Sequence, residues 1–82
     1  MQIQLVQGEF SVNDAFTLIR QLILEKIKYH ENKITVESNE EDIKYRESKI
    51  KHLQNELSML SKNLADKIGS LKIEAIINVD FK

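Results

Sequence analysis

Gly8 and Gly69 stand 61 positions apart, and no proline occurs anywhere in the 82 residues. A chain so free of backbone breakers folds into a few long elements joined by few turns. Two stretches carry helical periodicity. Val12, Phe16, Ile19, Ile23 and Ile27 form one apolar stripe, and Ala15, Leu18 and Leu22 form a second stripe beside it. At about 100° per residue the two cover roughly half a helix circumference. Further on, Ile43, Ile50, Leu53, Leu57, Leu60 and Leu64 repeat at the a and d spacing of a coiled coil, with Arg46 and Lys67 as basic intruders.

Start signals agree with this reading. Ser11 followed by Asp14 makes an N-cap for a helix over about 12–33. The run Ser38-Asn39-Glu40-Glu41 repeats the signal, and the acids Glu40, Glu41 and Asp42 suit the positive end of a helix over about 39–68. Gly69 is expected as the residue that ends it.

Strand signals flank the helices. Met1, Ile3 and Leu5 alternate with Gln2 and Gln4, which predicts a strand over 1–6 with a turn at Gly8. At the other end Leu71, Ile73, Ala75, Ile77, Val79 and Phe81 alternate with mostly polar neighbours, which predicts a strand over 71–81 with its odd face buried. Residues 34–37 read either as a loop or as a brief extended segment.

The fold class is therefore α+β, one domain over residues 1–82, in the order strand–helix–helix–strand. The helices form a long antiparallel hairpin, and the strands meet as a small antiparallel sheet. Equal rise on both arms sets Ile23 opposite Ile50, Phe16 opposite Leu57 and His30 opposite Ile43. Val6 and Ile76 are expected together on the outward face of the sheet.

The first helix has more apolar surface than a narrow seam can cover, and a two-stranded ribbon is marginal in water. Both surpluses predict a homodimer that completes a bundle and a sheet, with Ala15, Leu18, Ile19, Leu22 and Ile23 at the interface. A short chain without cysteine has no disulfide or thiolate metal site to stiffen it, which points the same way.

Composition narrows the function classes. Twelve basic and 13 acidic residues give a net charge of −1, without the basic excess of a general nucleic-acid or membrane-surface binder. There is no signal-peptide pattern and no apolar run long enough to span a bilayer, so a soluble, cytoplasmic protein is expected.

Catalytic and metal motifs are missing. His30 and His52 lack metal-site spacing and read as solvated or rim residues. The acidic run lacks the alternation and glycine of a calcium loop. The serines fit caps and exposed helix positions, and two distant glycines cannot cradle a phosphate. The expectation is a non-enzyme with no cofactor and no metal.

The hairpin tip gathers Tyr29, Tyr45 and Arg46, which could stack or hydrogen-bond with a partner protein. Residues 25–51 hold seven basic and seven acidic side chains, so a mixed-sign solvated surface is the plain alternative.

A short strand before two helices also resembles the ribbon-helix-helix DNA-binding arrangement, over residues 1 to about 45. That resemblance implies a DNA-binding regulator reading bases with Gln2 and Gln4. Against it, no Lys or Arg precedes Arg20, the helices are too long, and the terminal strand has no role. The leading reading is a homodimeric protein–protein interaction or structural module.

Overall fold

The computed structural model describes residues 1–82. Strand β1 spans Gln2–Ser11, helix α1 Val12–Lys33, helix α2 Glu40–Leu64 and strand β2 Ser70–Asn78. The strands form a two-stranded antiparallel sheet and the helices an antiparallel hairpin. The class is α+β, as the sequence pattern requires.

Caps set the helix starts. The Ser11 hydroxyl accepts from the Asp14 amide at 3.1 Å and opens α1. At α2 the cap is Asn39, whose Oδ1 accepts from the Asp42 amide at 2.8 Å. Ser38 serves the turn instead: its hydroxyl accepts from the Thr35 amide at 3.0 Å. Residues 34–37 are thus a hydrogen-bonded turn with a fully exposed Val36 at its apex, not a strand. Helix α2 stops at Leu64, short of Ile68, because the chain must swing round to set Ser70 against Ser11. Gly69, at φ 99°, makes that entry into β2 and does not cap the helix.

Strand β1 is longer than the alternation of residues 1–5 implies. Gly8 lies inside it, paired with Ile73, and takes φ 137° there rather than turning the chain. The ladder also slips by one residue between Gln4 and Val6, leaving Leu5 as a bulge. A one-residue slip exchanges the faces. Ile3 pairs with Ile77 before the bulge, and Val6 pairs with Ala75 after it. Val6 and Phe10 therefore join Leu71, Ile73 and Ala75 on the half-buried face, which corrects the outward placement of Val6. Ile76 pairs with Gln4 and does face outward.

Helix α1 is the middle element. It touches α2 along one side and both strands along the other, whereas α2 makes no contact with the ribbon. The double stripe of α1 thus has two neighbours within one chain. Ala15, in the second stripe, is 0% exposed.

Coverage is nonetheless thin. Only Ala15, Ile27, His30 and Leu53 are buried. The Cα trace measures 47 × 33 × 14 Å, a slab, and its radius of gyration of 15.6 Å exceeds the ~11.7 Å expected for a compact domain of this length. No helix is long and apolar enough to cross a membrane.

Candidate functional site

Two surfaces stand out, one at the hairpin tip and one on the ribbon. The first lies near the hairpin tip. His30 follows Ile27 by three residues and so continues the α1 stripe into the seam, while Arg46 follows Ile43 by three and continues the α2 seam. The two meet: Arg46 Nη1 lies 2.9 Å from His30 Nδ1. A guanidinium can only donate, so His30 Nδ1 accepts and the neutral ring carries its proton on Nε2.

His30 is 6% exposed, which corrects the expectation of a solvated histidine. Its partner lies three positions further along α2 than equal rise predicts. Side chains on a helix lean toward its N-terminus, and the long Arg46 stem leans back toward the tip.

The aromatic rings frame this pair. The Arg46 guanidinium carbon lies 5.7 Å from the Tyr29 ring centroid and 5.5 Å from that of Tyr45. Lys33 lies 5.5 Å from the Tyr29 ring and Lys49 the same distance from Tyr45. Tyr29 also meets the His30 ring edge-on at 5.4 Å. Each such cation–ring contact stabilises by about 0.5–1 kcal/mol at an exposed site.

Burial, and then the positive charges of Arg46, Lys26 and Lys49, hold the His30 imidazole below its ordinary value of 6.5. The structure brings Tyr29, Tyr45 and Arg46 together. Sequence reasoning missed His30, Lys33 and Lys49, although the three-residue step from Ile27 to His30 was a usable signal.

The second surface is the free end of the ribbon. Beyond Asn78 the ladder continues by one pair, with the Val79 amide donating to Met1 O and the Met1 amine donating to Val79 O, each at 2.7 Å. Ile3 and Ile77 share one sheet face there and both are exposed, as are Val79 and Phe81. Leu5 and Val6 flank an open groove of about 340 Å³ against Leu18 and Leu22 of α1. Of the five residues expected at a dimer interface, Leu22 is exposed, and Leu18, Ile19 and Ile23 are half-buried. Ala15 is fully covered by its own chain.

Elsewhere, His52 Nε2 lies 2.8 Å from Glu56 Oε1 on the exposed side of α2. No three His, Cys, Asp or Glu side chains are placed to hold a metal ion. Comparison with protein-family models, curated proteins and solved structures finds no match.

Proposed function

We propose that this protein is a non-enzymatic interaction module that works as a homodimer in the cytoplasm. The supporting observation is its surface. One chain of 9.6 kDa exposes 6891 Å². A folded monomer of that mass exposes about 5,100 Å², so roughly 1,800 Å² is in excess. A standard interface removes about 800 Å² per partner, and obligate homodimers remove more. The excess is therefore of the size that one second copy covers.

The apolar end of the ribbon, with Ile3, Ile77 and Val79, and the neighbouring groove at Leu22 are the surface assigned to that copy. A two-fold contact of like patches satisfies both chains at once.

The DNA-binding alternative gains no support from the ribbon. Strand β1 pairs with β2 of its own chain, and Gln2 Nε2 donates to Asn78 Oδ1 at 3.0 Å.

Sedimentation equilibrium from 1 to 100 µM tests the dimer. A mass twice that of the chain is expected, and a folded monomer throughout that range overturns the reading.

A further inference from the structure

We propose that the hairpin tip receives an acidic peptide segment of a partner protein, with the Arg46 guanidinium as its central anchor. This rests on the reading of the chain as an interaction module and names the kind of partner that module takes.

The guanidinium is under-used. Arg46 is half-buried, and its one hydrogen bond within the chain goes to a neutral imidazole. A guanidinium carries five N–H donors in a planar fork that fits a carboxylate bidentately. Taking such a charge partly out of water without an anion is costly. The Tyr29 and Tyr45 rings hold it in place, and each is about half exposed, so the site is open to a visitor.

No ion pair neutralises Arg46 or its cationic neighbours. No carboxylate comes within 4.0 Å of Lys26, Lys33, Arg46 or Lys49. The ion pairs of the chain are Met1 with Asp80, Lys44 with Glu40 and His52 with Glu56, all outside this cluster. Residues 25–51 hold seven acids, yet none neutralises these four cations. The charges that act on His30 tell the same story, because Arg46, Lys26 and Lys49 are all positive.

The shape selects the ligand class. Nucleic acid needs several basic contacts along a phosphate track, and its affinity grows with their number. Here the cations converge on two rings, and α2 opens with Glu40, Glu41 and Asp42, so no basic track continues past the cluster. One or two carboxylates fit the cluster, with their methylene stems against the tyrosine rings.

The test is fluorescence polarisation at pH 7.5 and 100 mM salt, with labelled hexaglutamate as the probe. A Gly-Ser hexapeptide and a 20-residue oligothymidylate serve as comparisons. Hexaglutamate is expected to bind at least tenfold more tightly than either. Arg46→Met, which keeps the stem between the rings, should weaken binding tenfold or more. Lys33→Gln with Lys49→Gln leaves the seam untouched and should weaken it about fivefold. Lys44→Gln, outside the cluster, should change nothing.

No binding of hexaglutamate up to 1 mM overturns the proposal. So does binding by both cluster variants as tight as that of the native chain, or tighter binding of the oligonucleotide. Oligomeric mass is measured on the same samples. A dimer that ignores hexaglutamate removes this inference and leaves the homodimer reading intact, while a monomer that binds it removes the homodimer and leaves this inference intact.

Discussion

At the hairpin tip the polar residues in the seam meet one another, whereas at the ribbon end the apolar residues stay exposed. Arg46, His30, Tyr29 and Tyr45 form one contact group within a single chain. Ile3, Ile77, Val79 and Phe81 lie on or beyond a ladder whose hydrogen bonds are complete, yet their side chains face water. Backbone pairing thus runs further than side-chain burial. Hydrogen bonds alone add only about 1 kcal/mol each in net terms, and a ribbon needs a covered face to persist. The contacts of the tip lie within one chain, and the ribbon end is the surface proposed for a second copy.

The sharpest way to break that comparison is at Ala15, the most deeply buried residue of α1. Ala15→Asp places an unpaired carboxylate at a site with no exposure. Expected loss exceeds about 4 kcal/mol, enough to unfold a chain this small. Circular dichroism at 25 °C reads it directly; a variant that keeps its helical signal would mean that the ribbon does not press on α1 here.

Next in size is the seam. Leu53 is buried and Leu57 only half so. Leu53→Ala should cost about 2–5 kcal/mol in urea unfolding, and Leu57→Ala roughly 1–2 kcal/mol. The reverse order would place the centre of the seam one turn further from the tip.

A finer cut separates the two faces of the ribbon end. Ile76 and Ile77 are 44% and 41% exposed in one chain, so a monomer gives no reason for them to differ. A second copy on the Ile77 face does. Ile77→Asp should then raise the dimer dissociation constant tenfold or more, about 1.4 kcal/mol, and Ile76→Asp should leave it within threefold. Equal effects in sedimentation equilibrium would remove the ribbon end from the dimer interface.

Helix positions and their order were legible in the sequence because they rest on short-range rules: caps, periodicity and the lack of breakers. The β1 bulge was legible too, in a signal easily passed over. Apolar residues fall on odd positions through Leu5 and on even positions at Val6 and Phe10, and such a change of phase within one strand is what a one-residue slip produces. Gly8 misled because glycine signals a turn more often than a strand interior; here a long partner strand holds it in the ladder, and its φ is one that a side chain would strain. The covering of Ala15 and the meeting of His30 with Arg46 were hidden for a different reason. Both depend on how far the ribbon folds back and how the arms slide, which no local pattern encodes.

The smallest expected effect concerns the tip as a proton-sensitive contact. Arg46 donates to His30 Nδ1, so a proton on that nitrogen ends the hydrogen bond and sets two cations side by side in a buried seam. Burial and the neighbouring Arg46, Lys26 and Lys49 lower the folded-state value of His30 below the 6.5 of the unfolded chain. The unfolded state therefore binds more protons wherever the two differ, and stability rises with pH in that window. The contribution is complete above about pH 7.5 and fades as pH falls through 6.5 toward the lowered folded value. Carboxylates hardly titrate in the upper part of that window. The urea midpoint should drop modestly between pH 7.5 and 5.5 in the native chain. His30→Gln, which retains an acceptor for Arg46, should flatten that slope, and His52→Gln on the exposed side of α2 should not. A slope unchanged by His30→Gln would show that the proton acts elsewhere and that the tip holds together without regard to the charge on its histidine.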